Sequence, residues 1–126
     1  MSPITNWNVS NVSNMEHLFN YCKINNLNPI SNWDVSNVTN MKGMFFNCTS
    51  LTNTSGINNW DVSNVTNMDG MFSNCTSLTN TSGINNWDIT NVTSFNWMFS
   101  ECPTHPEFTK ITGTWDSTGS FTPTTK

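Results

Sequence analysis

The sequence predicts an α/β repeat fold: about four stacked coils of 26–27 residues, each with one short strand and one short helix, followed by a C-terminal cap. Three observations predict it. Tryptophan recurs at Trp7, Trp33, Trp60 and Trp87, in steps of 26, 27 and 27 residues. Cysteine recurs with the same steps at Cys22, Cys48, Cys75 and Cys102. Between them run further apolar columns: Met15, Met41, Met68 and Phe95; Leu18, Met44, Met71 and Met98; and Phe19, Phe45, Phe72 and Phe99. One such unit cannot bury its apolar face alone, so neighbours must stack. A period of this length lies in the range of leucine-rich-repeat-like solenoids.

Each coil opens on an isoleucine three residues ahead of its tryptophan, at Ile4, Ile30, Ile57 and Ile84. These set units near 4–29, 30–56, 57–83 and 84–102, a repeat region spanning 1–102, and a remainder from 103 to 126. Val35 and Val38 are three apart, which suits an irregular or 3-10-like stretch tucking two side chains inward. Met41, Met44, Phe45 and Cys48 then sit at i, i+3, i+4 and i+7, one stripe of a helix. Thr39 or Asn40 stands where a first-turn amide needs an acceptor. Gly43 and Asn47 keep this helix to about two turns. The segment from Leu51 to Trp60, rich in Thr and Asn, reads as a short strand and a turn.

After Cys102 the pattern changes. Ile111 and the Trp115-Asp116 pair echo the repeat, but no Met-x-x-Met-Phe follows. The segment reads as a capping strand, with Thr122 to Lys126 frayed.

Composition narrows the function. Asn, Ser and Thr number 23, 15 and 19 in 126 residues, and charged residues make up only 10%. The net charge is −4 and no basic run exists, which argues against a nucleic-acid partner, since phosphates need clustered cations. No apolar stretch approaches the length of a membrane span, and Met-Ser-Pro-Ile-Thr lacks the basic and apolar regions of a signal peptide. No membrane insertion is expected.

The string Trp-Asp-Val-Ser-Asn-Val-Thr-Asn-Met-x-x-Met-Phe-x-x-Cys-x-Ser-Leu, at 33–51 and 60–78, resembles the BspA-like leucine-rich-repeat surface proteins. The likeness is to the variant built on W-D-x-S-N-V-T-x-M-x-x-M-F repeats, and it covers about residues 4–102. It implies a right-handed solenoid and a role in adhesion or protein binding at a surface. It also implies structural rather than catalytic motif residues. Family members are largely bacterial surface proteins and lipoproteins, with related repeats in eukaryotic microbes and large DNA viruses. A cell-surface, extracellular or virion location follows as the expectation, though the chain shows few repeats and no lipobox.

Several columns are candidate sites. The Cys column completes the apolar stripe, where a buried thiol acts as a small hydrophobe. Stacked about 4.8 Å apart, its members lie within disulfide reach, but parallel Cβ vectors disfavour bridging. A straight column also cannot supply the tetrahedral ligand set of zinc. Asp34, Asp61 and Asp88 form a second column, with Asn8 and Asp116 near its ends, suited to Asx-turns through Ser36, Ser63 and Thr90. A stacked carboxylate column also suggests calcium, a reading the turn outweighs. His17 and His105 stand at unrelated repeat positions, and neither Ser-His-Asp nor Cys-His spacing recurs, so no enzyme and no cofactor are expected.

Asn-x-Ser/Thr triplets are frequent, but those centred on Val or Cys fall on core columns. Thr52 and Thr79, with neighbouring Thr and Asn ladders, could satisfy backbone groups or present a regular face to ice or polysaccharide. Tyr21, Phe46 and Trp97 vary between coils and are the candidate contact surface, since exposed aromatics anchor interfaces. The expectation is a non-enzymatic module binding another macromolecule, a protein first and a glycan second. A structural component of a virion or cell envelope is the alternative, and ice or glycan binding through the ladders the second alternative.

Overall fold

The computed structural model describes residues 3–124. Each Ile closes or opens a single 3-10 turn: Ile4–Asn6, Asn28–Ile30, Ser55–Ile57 and Ser82–Ile84. The tryptophan three residues on uses both of its donors on this turn system. Its backbone N–H returns to the Ile of its own coil, as in Trp60 to Ile57 at 3.2 Å. Its indole N–H reaches the Ile carbonyl one coil earlier, Trp33 to Ile4 at 3.0 Å, Trp60 to Ile30 at 3.1 Å and Trp87 to Ile57 at 3.1 Å. The Ile–Trp spacing is thus a tie between coils as well as apolar mass.

The Asx-turns form next. Asp34 Oδ1 accepts the Ser36 N–H at 3.0 Å, and Asp61 and Asp88 do the same for Ser63 and Thr90. Val35 and Val38 both point inward, and the Val38 N–H closes on the Val35 carbonyl at 3.0 Å. Side-chain amides of Asn37, Asn64 and Asn91 each donate 2.7 Å to the Ser carbonyl of the preceding coil. These Asn side chains thus tie neighbouring coils together with side-chain bonds where no sheet ladder runs.

The helix predicted over Met41 to Cys48 is not there; among the described residues no α-helix forms. Successive β-turns take its place, with N–H to carbonyl bonds from Met44 to Met41, Phe46 to Gly43 and Cys48 to Phe45. Gly43 at φ 60° and Asn47 at φ 61° occupy the third place of the first and last turns. A positive φ at that place alone defines a type II turn and selects Gly or Asn. The remaining amides point to the next coil: Met41 to Asn67 at 2.9 Å, and Gly43 to Asp69, Phe45 to Met71 and Asn47 to Ser73, each at 2.8 Å. In a helix the Phe45 and Asn47 amides would bond within the segment. The sequence spacing misleads because two four-residue turns with inward corners also bury i, i+3, i+4 and i+7. Asn40 does cap the segment, its Oδ1 accepting the Lys42 N–H at 2.9 Å.

The strand predicted within Leu51 to Trp60 reduces to one parallel bridge, Asn53 to Asn80. A second bridge column joins Asn14, Asn40, Asn67 and Ser94 just before the turns. Inside, Phe19, Phe45, Phe72 and Phe99 stack ring on ring at 5.7, 5.3 and 5.1 Å, with the Met, Val, Ile and Leu columns around them. Burying each such side chain contributes on the order of 2 kcal/mol.

The ends depart from the sequence expectation. Trp7, assigned to the core column, is 45% exposed against 5% for Trp33, because no described coil packs on its outer face. Cys22 and Cys102 are half-buried while Cys48 and Cys75 are buried. At the other end β1, Gly113–Trp115, pairs antiparallel with β2, Phe121–Pro123. The predicted frayed tail is thus corrected for Thr122 and Pro123, which pair in β2, and for Thr124, whose N–H bonds the Thr112 carbonyl at 3.0 Å. Thr125 and Lys126 lie outside the described residues.

Candidate functional site

One column of the turn face changes character along the stack. Its members are His17, Gly43, Gly70 and Trp97, all with φ between 56° and 61°. Glycine takes this conformation freely, whereas the two bulky residues pay strain for it. The result is a groove of about 330 Å³ whose floor is glycine backbone. His17 leans over Gly43, so a Cβ there would lie 2.4 Å from the imidazole. Above Gly70 the space is open, with Ser73 Cβ, 3.9 Å away, the one atom near an added Cβ.

The walls come from neighbouring columns. Phe46 and Ser73 stand on one side, Lys42 and Asp69 on the other, and Trp97, 57% exposed, closes the far end. Tyr21, 64% exposed, meets Phe46 edge to face at 5.5 Å, extending the aromatic surface beyond the groove. Asp69 is held in place: its Oδ1 accepts the Asn96 N–H at 2.7 Å and the Ser94 hydroxyl. The rim therefore offers one cation and one anion around an aromatic, backbone-floored slot.

The sequence-derived contact residues Tyr21, Phe46 and Trp97 come together here, Phe46 half-buried. Thr52 and Thr79 do not join them. The Thr52 N–H and hydroxyl both donate to the Asn25 carbonyl at 3.2 Å, and the Thr79 N–H donates to the Thr52 carbonyl. The hydroxyls of Thr66 and Thr93 likewise bond the preceding coil at 3.1 Å. Those ladders serve the stack. Lys42, Gly43, Asp69, Gly70 and Ser73 were missed as site residues by sequence reasoning, and His17 was weighed only for acid–base chemistry. The available signal was a glycine column that turns bulky at both ends.

The remaining candidates are bonded within the stack or beside its ends. The thiols of Cys48, Cys75 and Cys102 donate to the carbonyls of Phe19, Phe45 and Phe72 one coil earlier, at 3.1, 3.2 and 3.0 Å. Burial pushes the Cys48 thiol up to about 11, and the adjoining Cys102 thiol together with burial pushes Cys75 higher still. The hydroxyl and N–H of Ser36, Ser63 and Thr90 hold Asp34, Asp61 and Asp88 below the usual carboxylate range. His17 lies 3.7 Å from Glu16, and His105 lies 3.5 Å from Glu107. Among the described residues no three His, Cys, Asp or Glu side chains gather as a metal site would require, and no helix is long and apolar enough to cross a membrane.

Residues 1–115 match the model of a family described as Mycoplasma protein of unknown function, DUF285. No curated protein and no solved structure matches the chain.

Proposed function

The chain belongs to the DUF285 family, and from that premise we propose that it is a non-enzymatic binding module, engaging a protein partner through the turn face of its stack. The observation that supports this reading is the groove: exposed Trp97 with half-buried Phe46 around a floor of Gly43 and Gly70, extended past its edge by exposed Tyr21 on Phe46. Large, rigid aromatics on a preformed surface lose little entropy on binding and dominate interface energetics. The repeated coil supports a further reading, that the stack is a short right-handed leucine-rich-repeat-like solenoid of the BspA-like kind, working at a cell surface or outside the cell.

A second reading, a structural component of an envelope or virion, draws support from the open first coil, whose Trp7 and Leu18 are exposed. The test is binding of immobilised chain to purified surface and matrix proteins and to a glycan panel, beside the Trp97→Ala and Tyr21→Ser variants. A protein ligand should lose tenfold or more in affinity on Trp97→Ala, about 1.4 kcal/mol, with thermal stability unchanged. Binding indifferent to both variants would remove the turn face as the working surface.

A further inference from the structure

The groove differs along its length. Toward the first coil it is shut, because the His17 imidazole lies over Gly43, which is buried. Over Gly70 it is open, and an added Cβ would meet only Ser73 Cβ, at 3.9 Å. The floor amides are already paired: Gly43 and Gly70 donate to the Asp69 and Asn96 carbonyls, each at 2.8 Å. Their own carbonyls accept the Phe46 and Ser73 N–H groups, each at 3.0 Å. An occupant therefore rests on this floor by van der Waals contact and draws its polar contacts from the walls.

One wall carries a carboxylate with a free oxygen. Asp69 Oδ1 accepts the Asn96 N–H at 2.7 Å and the Ser94 hydroxyl, which fixes the side chain, while Oδ2 accepts no hydrogen bond among the described residues. Lys42 stands on the same wall, yet no ion pair joins the two. Asn96, which Asp69 holds, is the residue before Trp97, so the carboxylate and the indole flank the same opening. Trp97 is fixed at its backbone, where its N–H donates to the Ser120 hydroxyl at 2.8 Å. Its indole N–H donates to nothing among the described residues, whereas those of Trp33, Trp60 and Trp87 tie coils together.

We propose that the open slot over Gly70 receives an arginine side chain of the protein partner. This deepens the reading of the groove as the working surface and rests on it. Charge and shape select the occupant. A guanidinium is a planar, weakly hydrated cation that stacks on an indole face and forks onto a carboxylate. Trp97 and Asp69 supply those two surfaces. The aliphatic stem of the arginine lies along the glycine floor against Phe46, as such stems do on apolar surface. A lysine ammonium is more strongly hydrated and has no flat face to lay on Trp97. The net charge of −4 favours a cationic visitor, while Lys42, toward the shut end, repels a second cation. The partner thus presents a single arginine rather than a basic run.

Three short peptides, identical but for a central arginine, lysine or citrulline, test this by NMR titration of the full chain, read at the Gly70 amide and the Trp97 indole N–H. Citrulline keeps the shape of arginine without its charge. The arginine peptide should shift both signals, and the citrulline peptide should bind roughly fivefold more weakly, with lysine between them. Asp69→Asn keeps an oxygen for Ser94 and Asn96 and should bring arginine and citrulline to equal affinity. Gly70→Asn fills the slot at a positive φ that Asn47 and Asn74 already adopt, and should abolish both shifts with thermal stability unchanged. Equal binding of arginine and either other peptide by the wild-type chain overturns the arginine and leaves the groove as a docking site. So does an arginine preference that survives Asp69→Asn, or a glycan that shifts the two signals where no peptide does. A protein ligand whose affinity ignores Trp97→Ala overturns both the arginine and the groove.

Discussion

The two ends of the stack carry the same columns and meet water in opposite ways. At the C-terminal end Phe99, the last of the stacked rings, is 3% exposed because Trp115 packs edge to face on it at 5.3 Å. Phe95 is covered by Phe121 at 5.2 Å. At the N-terminal end Trp7 rests on Trp33 at 6.3 Å with its outer face bare. Burial of the Trp column in this fold therefore depends on a covering neighbour as well as on residue type. Trp7 and Leu18 become surface residues where no described coil covers them, while Met15 and Phe19 stay buried within the same coil.

The sharpest way to break this comparison is to truncate one apolar residue at each end. Phe121→Ala removes a residue packed against Phe95, Phe108 and Trp115 and should cost ~3–5 kcal/mol. Trp7→Ala, already half in solvent, should cost ~1 kcal/mol. Urea unfolding of both variants reads the difference, and equal losses would mean the ends are equally closed.

Thiol chemistry maps the same gradient without mutation. Half-buried Cys22 and Cys102 at the ends should alkylate at least ~10-fold faster than Cys48 and Cys75, whose thiols are buried and pushed upward. Mass spectrometry of a timed labelling series gives the order. Interior labelling at the same rate as the ends would show that the stack opens as a whole.

Acid should loosen the ends unequally. The Thr118 hydroxyl and the Ser120 N–H hold Asp116 below the usual carboxylate range, so the unfolded chain takes up a proton more readily than the folded cap does. The stability this contributes is fully present above the ordinary aspartate value of about 4 and is lost as pH falls through the lower folded value. In the first coil the same turn is built by neutral Asn8, whose Oδ1 accepts the Ser10 N–H at 3.0 Å. Amide exchange at Thr118 and Ser120 should therefore rise on acidification while Ser10 stays protected. Asp116→Asn should abolish the difference.

The smallest expected effect lies between coils. Thr54 is fully buried with its hydroxyl unpaired, while the first coil places Leu27 at the same position. Thr54→Val removes a desolvated hydroxyl at nearly constant shape and should stabilise by ~1 kcal/mol. A loss of thermal stability instead would show that the hydroxyl has a partner.

Register was legible because burial repeats with the coil: the Trp, Phe, Met and Cys columns could be read off at steps of 26 and 27, and their interior members are buried. The Asp turns were legible because an Asx-turn is a bond over two residues. The helix was misread because inward corners of paired turns share its spacing. Gly43, Asn47, Gly70 and Asn74, four apart within each coil and all at positive φ, were the discriminating signal. The groove stayed hidden because its floor and walls lie one to three coils apart in sequence and meet only through stacking.

The residue pattern alone carries what is local and periodic: which residues face inward, where the Asx-turns bend and how far apart equivalent positions fall. Stacking settled which amides of residues 41–48 cross to the next coil and which close turns within their own. It also decided that two glycines between His17 and Trp97 become a floor. Side-chain pattern reports burial, whereas the orientation of a peptide group and the space above a glycine depend on the coil beside it.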